Sequence, residues 1–268
     1  MNTSANLISL PTAAAALLTL AALTGCGPSL SSTVEQVSGR AVELVEVGTG
    51  KATVVFESGF GNDWSPWDPI AGEVAAKARV FAYSRPGYGR SDPSTDPRDA
   101  AHIVEDLRSL LATRGYAPPY VLVGHSFGGT YMELFAKRYP GEVAALVLVE
   151  SRHRDFTQAC ADAGLPGCEI PAPVVATLPA VQIAEYMGFA KTSEEIATSA
   201  FGPYPVRVLT ATAHGFAPEV EALWQSMLGK LADEAADGEQ ILFPGATHNL
   251  EIDRAHEVAQ LIMGLLPQ

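Results

Sequence analysis

Beyond residue 40 the chain alternates short apolar runs with longer segments of helical spacing. Residues 42–47 alternate apolar and polar side chains and end at Gly48-Thr49-Gly50, which predicts a half-buried strand and turn at a sheet edge. Residues 53–56, 80–83, 120–123 and 144–149 are apolar runs rich in β-branched and aromatic residues, the composition of strands buried on both faces, and 206–210 and 240–243 read as two further strands. Helical spacing covers residues 67–77, 96–114 with Gly115 as a stop, 130–139, 218–236 and 254–266. Strands and helices alternating in this way predict an α/β domain over residues 41–268, a mostly parallel central sheet covered by helices on both faces. The alternation fails at residues 151–204, where weak helical patterns occupy 174–189 and 193–201. That segment is expected to be an inserted cap over the C-terminal strand edge, where such sheets bind ligands.

The strand at residue 120 runs into Gly124-His125-Ser126-Phe127-Gly128-Gly129 and then into helical composition. Gly-x-Ser-x-Gly in a strand–turn–helix setting is the pattern of a nucleophile elbow, which presents Ser126 on a sharp turn. So tight a turn crowds the positions two before and two after the serine, and Gly124 and Gly128 stand there.

The formal charge of −13 argues against nucleic acid and against a basic membrane-surface patch. The N-terminus changes the picture. Residues 7–23 are apolar and uncharged and lead into Leu23-Thr24-Gly25-Cys26, so residues 1–25 read as a secretory signal. No Lys or Arg precedes the apolar run, unlike most signals. The ending resembles the lipobox of bacterial lipoproteins, which implies a lipidated Cys26 as the mature N-terminus and anchor. Residues 26–40 would then be a tether. Export suits the other two cysteines: Cys160 and Cys168 lie close in a Gly- and Pro-containing segment and are candidates for a small-loop disulfide. No metal site is expected, because two thiols without nearby histidines do not fill a zinc shell.

Further motifs stand in a definite order: Glu57-Ser58-Gly59-Phe60-Gly61 after one strand, Ser84-Arg85-Pro86-Gly87-Tyr88-Gly89-Arg90-Ser91 after the next, the elbow, and His248 on a small-residue loop before the last helix. From residue 41 to the C-terminus the chain resembles the α/β-hydrolase fold, close to bacterial lipase- and esterase-like members. The resemblance implies Ser126 as nucleophile and His248 as its base. It implies oxyanion donors in the backbone N–H of Phe127 and of Phe60. The chain departs from the commonest pattern at the acid, since Ala211-Thr212-Ala213-His214-Gly215 holds no carboxylate where one usually follows the strand. Related enzymes place it at the end of the preceding strand, where Glu150 stands; Asp155, Glu219 and Glu221 are the alternatives.

Among the other histidines, His125, His102 and His256 are poorly placed to act as the base, while His153 and His214 remain open as substrate contacts. Trp64, Trp67, Tyr88 and Phe127 either line an acyl pocket or pack. Arg85, Asp63 and Asp92 are given no catalytic step. The expected function is a cofactor-free serine hydrolase acting on small-molecule carboxylic esters, exported and tethered to a membrane. The alternatives are amide or peptide hydrolysis, cofactor-free perhydrolysis, or a non-catalytic ligand-binding lipoprotein.

Overall fold

The computed structural model describes residues 29–267. The expected signal segment and Cys26 lie outside the described residues. Eight strands form one sheet: β1 (Thr33–Val37), β2 (Arg40–Val47), β3 (Thr53–Glu57), β4 (Arg79–Tyr83), β5 (Tyr120–His125), β6 (Val143–Val149), β7 (Val206–Ala211) and β8 (Gly238–Phe243). Their order across the sheet is β1-β2-β4-β3-β5-β6-β7-β8. The first two pairs are antiparallel and every later pair is parallel.

β1 corrects the reading of residues 26–40 as a tether and of β2 as the edge strand. Ser38 and Gly39 both take positive φ, +50° and +83°, the two-residue hairpin turn whose twist matches its strands. That turn folds Thr33–Val37 back onto β2, and Val37 enters the core.

Nine helices lie among the described residues: α1 (Asp68–Val74), α2 (Ala100–Thr113), α3 (Phe127–Arg138), α4 (Phe156–Asp162), α5 (Ala172–Val175), α6 (Ala180–Ile196), α7 (Pro218–Asp233), α8 (Leu250–Asp253) and α9 (Ala255–Gly264). The central strands are apolar throughout because both faces are covered. On β5, Leu122 belongs to the core layer that also holds side chains of α2, α3 and α7, while Val121 and Val123 belong to the layer that holds those of α1 and α9. α2 opens with the Asp99 side chain accepting from the His102 N–H at 3.1 Å and is followed by Gly115 at φ +76°.

Residues 151–204 carry α4, α5 and α6 rather than the two weak helices expected. Pro179 ends the expected first helix, because it lacks an N–H and disfavours helical geometry in the residue before it. α6 therefore starts at Ala180 and continues through Thr192, whose hydroxyl accepts from the Ala100 N–H at 3.0 Å and ties α6 to the start of α2. Cys160 and Cys168 are bonded, with Cα atoms 6.3 Å apart, and close the loop after α4.

Candidate active site

Ser126 stands between β5 and α3 at φ +52°, ψ −119°, a left-handed conformation that only surrounding contacts can hold in a residue with a side chain. A Cβ on Gly124 would meet the Gly128 carbonyl oxygen at 2.5 Å, and one on Gly128 would meet that of Glu57 at 2.4 Å. Both glycines are thus required by close backbone approach. α3 begins at Phe127, earlier than the expected residue 130, because the elbow feeds straight into the helix. The Ser126 N–H donates to the Val149 carbonyl at 3.1 Å, and the Ser126 carbonyl accepts from the Arg152 N–H at 3.1 Å.

The structure brings Ser126, His248 and Glu150 together. His248, on the loop between β8 and α8, places Nε2 3.0 Å from Ser126 Oγ and Nδ1 3.1 Å from Glu150 Oε2. These contacts fit a tautomer with the proton on Nδ1, leaving Nε2 to accept from the serine hydroxyl. Glu150 directly follows β6 at φ +49° and is fully buried. Its Oε1 accepts from the Ala211 N–H at 2.6 Å, so the neighbouring strand β7 holds the carboxylate in place.

A second imidazole shares that carboxylate. His214, in the loop after β7, sets Nε2 against Glu150 Oε2, while its Nδ1 lies 2.8 and 3.0 Å from the two carboxylate oxygens of Glu221 on α7. With a carboxylate facing each ring nitrogen, both nitrogens must donate, which makes His214 an imidazolium. Burial lowers its pKa, but the Glu150 hydrogen bond and charge, followed by those of Glu221, outweigh that and raise it above the ordinary histidine value. Burial likewise raises the Glu150 carboxyl, and hydrogen bonds from His214 and His248 overcome it, leaving the pKa lowered. His214 stacks on Phe216 at 4.9 Å between ring centroids.

His214 is therefore a partner of Glu150 rather than a substrate contact. Its signal in the sequence is its position, since it stands where a carboxylate is usual. Of the alternative acids, Glu221 reaches His214, Asp155 lies 3.6 Å from Arg154, and Glu219 is exposed on the first turn of α7. Glu150, His214 and His248 place one donor atom each within 4.8 Å of one another. Hydrogen bonds already engage those atoms, so the trio forms a proton-linked chain rather than an open cation cage.

The loop after β3 closes over the elbow. A Cβ on Gly59 would meet His125 Nδ1 at 2.8 Å and Ser126 Cβ at 3.3 Å, so the backbone leading to Phe60 passes directly beside Ser126. The rings of Phe60 and Phe127 lie 5.1 Å apart. Arg85 fixes this loop from behind. Its guanidinium donates to the carbonyls of Ser58 at 2.6 Å and Gly59 at 2.9 Å and pairs with Glu57 at 2.7 Å and Glu185 of α6 at 2.9 Å, all buried. The position thus has a structural, loop-positioning task, in keeping with the absence of a catalytic step expected for it. Tyr88 packs beneath the same guanidinium, 4.9 Å away, and Trp64 and Trp67 belong to the core on the α1 side of the sheet. Only Phe127, of the four aromatics considered, lines a cavity at the serine.

His125 turns away from Ser126, and its Nε2–H donates to the His248 carbonyl at 2.8 Å. Burial, then the charge of His248, lowers its pKa to about 3, so it is neutral. Glu251 Oε2 lies 3.3 Å from the same nitrogen, in a carboxyl that is 1% exposed and pushed up to about 7 by burial. A folded-state pKa of about 7 against 4.5 means this carboxyl favours folding at low pH, a benefit lost as pH rises through about 7. Glu251→Gln is accordingly expected to match the parent near pH 5 and to be more stable near pH 8.5 by on the order of 2–3 kcal/mol. Urea titrations at the two pH values measure the difference; equal stability at both would show that Glu251 ionises freely in the folded state.

A cavity of about 240 Å³ opens at the serine, lined by Ser126, Phe127, His248, Trp224, Cys168 and Arg152 among others. A second of about 390 Å³, under α6, shares Phe127, Arg152 and Glu169 with it. Arg152 was not singled out in the sequence, where it is one of several arginines after β6.

Comparison with known proteins agrees with this architecture. A family model described as alpha/beta hydrolase fold matches residues 52–165. An uncharacterized protein, YqjL, of Bacillus subtilis (strain 168) is 27% identical over 217 residues, spanning 79% of this chain and 82% of that one. A monoacylglycerol lipase of Mycolicibacterium smegmatis is 33% identical over 103 residues, 37% of each chain. The crystal structure of an alpha/beta hydrolase fold protein from Burkholderia ambifaria superposes with a TM-score of 0.63 at 21% identity, covering 87% of this chain and 97% of its own. With an eight-stranded, mostly parallel sheet, an elbow after β5 and helices on both faces, the chain has the α/β-hydrolase fold.

Proposed function

We propose that the protein is a serine hydrolase cleaving carboxylic esters through an acyl-enzyme. The observation that carries this reading is the continuous contact from Ser126 Oγ to His248 Nε2 at 3.0 Å and from His248 Nδ1 to Glu150 at 3.1 Å. A serine hydroxyl is a poor nucleophile near neutral pH and needs a base within this distance. Ser126 Oγ attacks the ester carbon as its proton passes to His248 Nε2, and Glu150 stabilises the imidazolium that results. The oxyanion is held by the N–H of Phe127, which as the first residue of α3 has no acceptor within the helix, and by that of Phe60. Collapse returns the proton from His248 to the leaving alcohol. Water then attacks the acyl-serine, giving its proton to His248, and the carboxylic acid departs as Ser126 Oγ recovers its hydrogen.

No step calls for a cofactor. Serine at the elbow favours acyl transfer over epoxide opening, which uses an aspartate there. A non-catalytic ligand-binding role is disfavoured by the left-handed strain stored at Ser126, which has no purpose in a passive pocket. A fluorophosphonate probe tests the reading: wild type is expected to label, with the adduct on the peptide carrying Ser126. Failure of wild type to label, or a label elsewhere, overturns it.

For localisation we propose export with a lipid anchor on Cys26, supported by the apolar segment and the Leu-Thr-Gly-Cys ending. Cys26→Ser is expected to move the protein from the membrane pellet to the soluble fraction; continued pelleting would remove the anchor.

A further inference from the structure

Arg152 is the one feature at the nucleophile that acyl transfer leaves without a task. Its backbone is clamped to the elbow, with its N–H on the Ser126 carbonyl at 3.1 Å and its carbonyl accepting from the Thr130 hydroxyl at 2.7 Å. Arg152 lines both cavities, together with Phe127 and Glu169, and Ser126 lines the one of about 240 Å³. Three phenyl rings enclose the guanidinium: Phe127, Phe156 and Phe189, with centroids 5.8, 5.6 and 5.4 Å from its central carbon. Nη2 donates to Thr157 Oγ1 at 2.7 Å and reaches the Cys168 carbonyl at 3.4 Å. Nε is buried with no partner.

Arg152 is half-buried, with Nε shut off from solvent, and such a cation gains from an anion in the cavity it lines; among the described residues no carboxylate comes within 4 Å of it. Arg154, which lines the outer cavity as well, differs completely: Glu133, Glu234 and Asp155 all pair with it. Glu169 lines both cavities, but it is exposed and supports the charge of Arg152 only from a distance. Burial dominates and lowers the pKa of Arg152, the mark of a cation short of a counter-charge.

We propose that Arg152 recognises an anionic group on the substrate, so that the natural substrate is an ester carrying a carboxylate within a few bonds of the scissile carbonyl. One uncompensated positive charge matches a carboxylate monoanion. A phosphate dianion would want a second free cation, and Arg154 is already neutralised. The aromatic walls strengthen the guanidinium–carboxylate contact by excluding water. This proposal rests on the serine-esterase reading above and adds the substrate class to it.

The test compares matched esters with and without the charge, placed on either side of the ester bond. On the acyl side the pair is mono-4-nitrophenyl glutarate and 4-nitrophenyl valerate; on the alcohol side it is 4-acetoxybenzoate and its methyl ester. Wild type is expected to show a higher kcat/KM for the charged member of at least one pair, by about thirtyfold relative to the same ratio in Arg152→Gln. Arg152→Lys, which keeps charge without the planar fork, should retain part of the preference. Inorganic phosphate should inhibit more weakly than glutarate at equal concentration; stronger inhibition would replace the carboxylate with a phosphate. If the charged-to-neutral ratio is the same in wild type and Arg152→Gln for both pairs, Arg152 is a structural cation and the proposal fails. Circular dichroism and fluorophosphonate labelling of each variant separate these outcomes from misfolding. Labelled wild type without any charge preference overturns the anion subsite alone, whereas unlabelled wild type overturns the esterase reading beneath it.

Discussion

Ser126→Ala is expected to lower ester turnover by about 10⁴- to 10⁶-fold and to abolish fluorophosphonate labelling, while the fold persists. The size of the effect follows from the geometry. The only reacting oxygen on the protein in this scheme is Ser126 Oγ, 3.0 Å from His248 Nε2. Its removal leaves only the proposed oxyanion donors and the cavity, which by themselves stabilise a water-attack transition state weakly. The backbone contribution is unchanged by the substitution. Alanine must still occupy φ +52°, so the variant keeps the strain of the elbow, and its stability should stay within about 1 kcal/mol of wild type. Turnover of 4-nitrophenyl acetate by Ser126→Ala within a hundredfold of wild type would sink the assignment of the nucleophile.

Glu150→Gln should cost about 10³- to 10⁴-fold in kcat with a folded protein. Glu150 Oε2 faces His248 and His214, and Oε1 accepts from Ala211, so the carboxylate acts as acceptor on every side. An amide can accept through one oxygen only and presents an N–H₂ elsewhere. Where that group faces His248, Nδ1 has to become the acceptor, the proton moves to Nε2, and the base toward Ser126 is lost. The same substitution removes one of the two carboxylates that charge His214. The imidazolium of His214, raised in pKa by Glu150 and Glu221, should then give up its proton at lower pH than in wild type. Nuclear magnetic resonance titration of the His214 ring in both proteins reads that shift directly. Near-normal kcat in Glu150→Gln would transfer the role of acid to another group.

The arrangement around Glu150 has a clear charge balance. Two carboxylates, Glu150 and Glu221, flank one imidazolium, His214, so the unit presents a net single negative charge to His248. His214, in the loop after β7, thereby holds the same Glu150 carboxylate oxygen that faces His248 and ties it to Glu221 of α7.

How much of this was legible in the chain follows from how local each feature is. The seven later strands, the order of the motifs and the elbow rest on short-range rules: apolar runs for doubly covered strands, glycines where backbones meet, a small-residue loop before the last helix. Ser126 and His248 were readable for that reason. β1 was not, because Thr33–Val37 is too exposed to carry a strong alternation and becomes a strand through pairing with β2. The cap helices were misjudged at their boundaries, since the periodicity at residues 174–201 is weak and Pro179 and the contact of Thr192 with Ala100 decide where α6 runs.

By itself, then, the sequence determined the α/β class and the positions of Ser126 on the elbow and His248 on the last loop, because these rest on local pattern and on glycines whose need is steric. Only the tertiary structure decided which groups share a buried charge. His214 meets Glu150 across 64 residues and Arg85 meets Glu185 across 100, and no local rule links such pairs. The same holds for Arg152: a guanidinium looks alike in any sequence, and only the fold reveals that this one has no carboxylate within 4 Å among the described residues and shares a cavity with Ser126.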